Sequence, residues 1–143
     1  MPTKVLVLDN TEGVADMLNF SRTADYNVVS ANTADEALSI LSENRFQLVV
    51  FDLKVPDMDG IEFLCHVKKH WPATEVIMLT DVENLEEGMQ SLKYEASDFI
   101  IKPLTNDNLD IVLERARRKI AIRRKLSPAV NEKSTTDSDI AIE

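Results

Sequence analysis

Short solid blocks of apolar residues alternate along this chain with longer stretches in which apolar residues return every three or four positions. The blocks "KVLVL", "NVVS", "QLVVF", "EVIML" and "DFII" predict five strands, at Lys4–Leu8, Asn27–Ser30, Gln47–Phe51, Glu75–Leu79 and Asp98–Ile101. The stretches between and after them predict helices over about 11–24, 33–43, 59–70, 83–94 and 105–125. Four of the five blocks are nearly solid apolar. A strand with one wet face alternates polar and apolar positions, whereas a strand covered on both faces does not. The pattern therefore predicts an α/β fold, a (βα)5 doubly wound parallel sheet with helices on both sides.

Local signals agree with these placements. Thr33 and Glu36 have the spacing of a capping box at the start of the second helix, and Thr105 stands in a capping position before the fifth, with Asn108 three residues later. Pro72 predicts that the third helix stops at Trp71. After Leu126 the text becomes "SPAVNEKSTTDSDIAIE", rich in Ser, Thr and Asp without apolar period, so residues 1–125 form the expected domain and 126–143 a disordered tail or linker.

Composition adds exclusions. No apolar run approaches the roughly 18 residues of a membrane span, and the start "MPTKVLVLDN" has no signal-peptide pattern. The expectation is a soluble, cytoplasmic protein with no membrane partner. Cys65 is alone, which rules out an internal disulfide, and reads as a small core residue. His66 and His70 lie four apart on the third helix without a third ligand type at metal spacing, and read as surface histidines. The net charge of −9 is uneven: residues 1–114 hold 8 basic and 21 acidic residues, whereas residues 115–125 hold 7 basic and no acidic ones. A body this acidic repels nucleic acid, which leaves only the basic helix end for such contact and argues against nucleic acid as a partner of this domain. Positive charge at a helix C-terminus is favourable in itself, so the bland reading of that end is a solvated one.

In an open parallel sheet, ligands sit beyond the carboxyl ends of the strands, where strand order reverses. Asp9 and Asn10 follow the first strand, Asp52 the third, Thr80 and Asp81 the fourth, and Lys102 with Pro103 the fifth. With strand order 2-1-3-4-5 these carboxylates, a hydroxyl and an ammonium converge on one rim. That set suits phosphoryl transfer, in which negative charge spreads over the phosphoryl oxygens. Asp9 and Asp52 hold Mg²⁺, a hard cation that takes oxygen ligands. Asp52 attacks phosphorus as a carboxylate nucleophile, while Thr80 and Lys102 contact the phosphoryl oxygens.

Over about residues 3–125 the sequence resembles the receiver domain of two-component response regulators, the chemotaxis-regulator-like kind, on "VLVLDN", "VVFDLKVPDMDG", "VIMLTD" and "ASDFIIKP". The resemblance implies a flavodoxin-like fold and assigns Asp52 as phosphoacceptor. It implies a Mg²⁺ site at Asp9, Asn10, Asp52 and the Lys54 backbone carbonyl, and Thr80 and Phe99 as switch residues. Lys102 is implied as the lysine of the site, with a cis bond to Pro103. The implied partners are a sensor histidine kinase or phosphotransfer protein, a downstream output domain or partner protein, and a homodimer through the fourth helix, fifth strand and fifth helix. The resemblance implies a signalling module and not an enzyme. Three positions depart from the family pattern. Asn10 replaces a second acid, which weakens the expected Mg²⁺ binding, Asp81 replaces a small residue, and Glu95 replaces a glycine. Lys54 adds a positive charge beside the acceptor. A haloacid-dehalogenase-like phosphatase is excluded, because no acid stands two residues after Asp9 or Asp52. The surviving alternative is a degenerate receiver that works as a phosphorylation-independent docking module.

Overall fold

The computed structural model describes residues 2–8, 13–21 and 24–126. Five parallel strands make one sheet: β1 (Thr3–Leu8), β2 (Tyr26–Ala31), β3 (Leu48–Asp52), β6 (Glu75–Thr80) and β7 (Asp98–Ile101), in the order β2-β1-β3-β6-β7. Two short strands, β4 (Lys54–Val55) and β5 (Met58–Asp59), pair as an antiparallel hairpin beyond β3. With that hairpin set aside, the sheet order is the expected 2-1-3-4-5. The helices are α1 (Val14–Asn19), α2 (Ala34–Glu43), α3 (Gly60–His70), α4 (Leu85–Lys93) and α5 (Asn106–Leu126). The expected tail after 126 and parts of the expected first helix, residues 11–12 and 22–23, lie outside the described residues.

The solid apolar strands are explained by burial on both faces. Leu6, Val49, Phe51 and Met78 point to one face, against Leu41 of α2 and Phe63, Leu64 and Val67 of α3. Val5, Val7, Val50, Ile77 and Leu79 point to the other, against Val14 and Leu18 of α1 and Leu109 and Leu113 of α5. Phe51 and Phe63 meet edge to face at 4.6 Å. Each fully buried side chain of this size contributes about 1.5–3 kcal/mol, and neighbouring strand residues feed opposite cores.

The helix ends follow the sequence where the signal is local. The Thr33 hydroxyl accepts from the Glu36 N–H at 3.1 Å. At α5 the Thr105 Oγ1 accepts from the Asn108 N–H at 3.0 Å, and Asn108 Oδ1 accepts from the Thr105 N–H at 2.9 Å, a reciprocal box with Asn in the place of Glu. α3 ends at His70, with Trp71 as its cap. Residues Val82–Asn84 form a 3₁₀ turn, so α4 starts at Leu85 and not at 83. At the end of α4, the Ala96 N–H reaches the Ser91 carbonyl and the Glu95 N–H the Leu92 carbonyl. This is a Schellman closure, and it places Glu95 at φ 75, a conformation that favours glycine. The departure at Glu95 therefore keeps the turn and bears its strain.

The basic run of α5 is largely consumed within the chain. Arg115 pairs with Asp98 at 2.7 Å, Arg118 with Glu114 at 3.0 Å and Arg123 with Glu75 at 2.8 Å. Arg117 donates to the Tyr26 hydroxyl, and Lys119 to the Ser97 carbonyl at 3.2 Å. Burial raises the Tyr26 pKa, against the lowering effect of Arg117. Four of the seven basic residues thus dock the helix onto the body, and Arg118 pairs within the helix.

Candidate functional site

Register puts the expected strand-end residues side by side. Asp52 is the last residue of β3 and pairs with Leu79 of β6, and the next residue, Thr80, pairs with Ile101 of β7. The ladder continues one step past each strand: the Leu53 N–H donates to the Leu79 carbonyl and the Lys102 N–H to the Thr80 carbonyl, both at 2.8 Å. Asp52 and Thr80 therefore end adjacent strands and Lys102 follows the next one, all at the carboxyl ends of the sheet.

Asp52 is 9% exposed. Its Oδ2 accepts from the Lys102 ammonium, and its Oδ1 accepts from the Lys54 N–H at 2.8 Å. A carboxylate this buried needs a partner charge, and Lys102, itself largely covered, supplies it. Asp81 lies at the mouth of the site, with Oδ1 3.9 Å from the Lys102 Nζ and Oδ2 3.7 Å from the Lys54 Nζ. Four charges thus alternate in sign across the edge. The Lys102–Pro103 peptide bond is cis.

Thr80 is fully buried. Its hydroxyl faces the carbonyls of Asn84 at 3.1 Å and Asp81 at 3.2 Å. Having one proton, it serves the two acceptors in competition. In this arrangement the hydroxyl is engaged by the turn before α4. Phe99 is half-buried against the cluster that holds Phe51 and Phe63.

The loop after Asp52 is tied down twice, in ways the sequence reading missed. Gly60 opens α3 so close to the preceding loop that a Cβ there would lie 2.2 Å from the Leu53 carbonyl oxygen. Asp57 reaches across to the start of α2, its Oδ1 accepting from the Ala34 N–H at 2.7 Å and its Oδ2 from the Asp35 N–H at 3.1 Å. The Ala34 N–H is the main cause that lowers the Asp57 carboxyl pKa. The Pro-Asp-Met-Asp-Gly spelling was a signal that a tight turn follows Asp52, but it named neither partner.

Asp9 and Asn10 lie outside the described residues; β1 is described to Leu8, which pairs with Phe51. Among the described residues no cluster of three or more His, Cys, Asp or Glu side chains is placed to hold a metal ion. The donors that are described, the Asp52 and Asp81 carboxylates, are hard oxygens of the kind Mg²⁺ takes. A groove of about 510 Å³, lined by Lys68, Glu75, Ser97, Lys119 and Arg123 among others, contains none of Asp52, Thr80 and Lys102.

The family described as response regulator receiver domain matches residues 5–114. The chain belongs to that family. This receiver domain is 39% identical over 105 residues to the transcriptional regulatory protein ZraR of Escherichia coli O157:H7, covering 73% of the chain and 24% of that protein. It superposes on the response regulator receiver domain protein of Clostridium thermocellum with a TM-score of 0.73 at 27% identity, covering 87% of this chain and 98% of that one. It also superposes on the CheY-like receiver domain protein of Methanospirillum hungatei JF-1 with a TM-score of 0.72 at 32% identity, covering 88% and 99%. The chain spans about a quarter of the length of the curated relatives it matches. Among the described residues no helix is long and apolar enough to cross a membrane.

Proposed function

We propose that this receiver domain accepts a phosphoryl group on Asp52 from a sensor histidine kinase or a phosphotransfer protein, and that the modification switches a protein-interaction surface in the cytoplasm. The observation that carries the reading is Asp52 itself: a carboxylate 9% exposed at a strand end, bonded to Lys102, with the buried Thr80 hydroxyl one strand away. Lys102 holds the carboxylate before transfer and is placed to take up a phosphoryl oxygen afterwards. The Lys54 N–H fixes the orientation of Oδ1 and leaves Oδ2 on the side of Lys102 and Asp81.

Asp9, Asn10, Asp52 and the Lys54 carbonyl are the oxygen donors proposed for Mg²⁺, with Asn10 supplying one charge fewer than an aspartate. When bound, the ion neutralises charge on the carboxylates and on the incoming phosphoryl group. After transfer, Thr80 leaves the Asn84 carbonyl for a phosphoryl oxygen and Phe99 turns inward, which alters the face made by α4, β7 and α5. That face already exposes Met89, Leu92, Ile101 and Ile111, apolar side chains 37–55% exposed, and is the proposed docking surface for an output domain, a partner protein or a second copy. The module signals and turns over no substrate of its own.

A second reading, a docking module independent of phosphorylation, draws support from Asp81, whose carboxylate competes with Asp52 for Lys102 and repels an arriving phosphoryl group. Incubation with phosphoramidate and Mg²⁺, read by intact mass, separates the two. Gain of one phosphoryl group supports the switch, and an unchanged mass under conditions that label a standard receiver supports docking alone.

A further inference from the structure

Gly88 is buried in α4, and a Cβ built on it would lie 2.9 Å from the Thr80 Cγ2, 3.3 Å from the Thr80 Cβ and 3.5 Å from the Phe99 Cδ2. Carbon atoms pack at about 3.5–4.0 Å, so α4 lies this close to β6 only because residue 88 has no side chain. Helix formation does not account for the glycine, since Ala in a helix interior is better by about 1 kcal/mol. The contact accounts for it.

Thr80 is held against the α4 region by both of its branches. The hydroxyl faces the Asn84 carbonyl just before the helix, and the methyl rests on Gly88. Both hang from one carbon, so the rotation that frees the hydroxyl also lifts the methyl from the helix. We propose that Gly88 is the positioning residue through which α4 reads the rotamer of Thr80. The methyl contact exists while the hydroxyl faces Asn84 and is lost when the hydroxyl turns toward Asp52. The space vacated adjoins both Phe99 and the helix backbone, which links the rotation to the movable ring and to the proposed docking face. This inference rests on the switching role proposed for Thr80.

Gly88→Ala loads the present rotamer with a clash and favours the others. The direct test measures three-bond couplings from the Thr80 Cγ2 to its own nitrogen and carbonyl carbon, which report χ1, in wild type and Gly88→Ala without phosphodonor or Mg²⁺. The ratio of the present rotamer to the others is expected to fall roughly tenfold. Amide shifts over residues 83–104 are expected to move toward the positions wild type takes with beryllofluoride. Thr80→Ser removes the methyl and leaves the milder 3.3 Å approach to its Cβ, so in that background Gly88→Ala is expected to shift those amides far less and to lower Tm less than in wild type. Unchanged Thr80 couplings in folded Gly88→Ala overturn the proposal. If the single variant does not fold, failure of Thr80→Ser to restore folding overturns it as well. The couplings need no phosphodonor, so a failure of Asp52 to accept a phosphoryl group would be seen separately.

Discussion

Gly60→Ala tests how the fold holds the loop that carries Asp52. The added Cβ would stand 2.2 Å from the Leu53 carbonyl oxygen, 2.8 Å from its carbonyl carbon and 2.9 Å from its Cα, whereas ordinary contact begins at 3.4 Å, so more than 1 Å must be found. Leu53 cannot readily give it. Its side chain is 5% exposed and its N–H is bonded to the Leu79 carbonyl at 2.8 Å. The start of α3 must move instead, and there Asp59 caps the helix by accepting from the Glu62 N–H at 3.1 Å. Overpacking a filled site costs about 1–3 kcal/mol and losing a cap about 1 kcal/mol, so the expected loss is about 3 kcal/mol, or about 12 °C in Tm. Urea denaturation gives the first number, calorimetry the second. Amide shifts are expected to change at residues 52–62, because the Lys54 N–H bond to Asp52 lies in the same loop. A stability within about 0.5 kcal/mol of wild type would refute the claim that this close approach holds the loop.

Other outcomes follow from single contacts. Lys102→Met leaves the Asp52 carboxylate buried without its cation and is expected to cost about 3 kcal/mol, with Asp52→Asn in the same background recovering most of it; a purely additive double variant would contradict the ion-pair account. Asp57 has a depressed folded pKa, so its contribution is fully present above the unfolded value near 3.9 and is lost as pH falls through the lower folded value. The stability difference between wild type and Asp57→Asn is therefore expected to shrink on acidification below about pH 4, and a gap independent of pH would contradict it. Glu95→Gly removes left-handed strain at φ 75 and returns part of that gain as chain entropy, for a net rise of about 0.5–1 kcal/mol in stability; a lower Tm would show that Glu95 is not strained.

What the sequence made legible was whatever depends on local pattern and periodicity. Solid apolar blocks in β1, β3 and β6 announced strands covered on both faces, and parallel order then carried Asp52, Thr80 and Lys102 to one edge without any knowledge of packing. The cap at Thr33 and the capping box at Thr105 were legible because donor and acceptor lie within one turn, although Glu36 reaches the Asn32 N–H and not that of Thr33. Features that depend on distant partners were not. Asp57 caps a helix 23 residues earlier in the chain. Gly60 and Gly88 are required by what approaches them and not by their own backbone angles, which no spacing rule reports. The basic end of α5 looked like surplus charge because its partners Tyr26, Glu75 and Asp98 lie in other elements. Glu95 departed from the expected glycine without changing the turn, since Schellman bonding imposed the conformation on the residue present.

The most direct test of the proposed function locates the phosphoryl group. The chain is labelled with phosphoramidate and Mg²⁺, reduced with borohydride to convert an acyl phosphate to homoserine, and mapped by peptide mass spectrometry. The account predicts a single conversion at position 52, absent in Asp52→Asn. Conversion at another acid, at Asp81 for example, or undiminished labelling of Asp52→Asn, would contradict it.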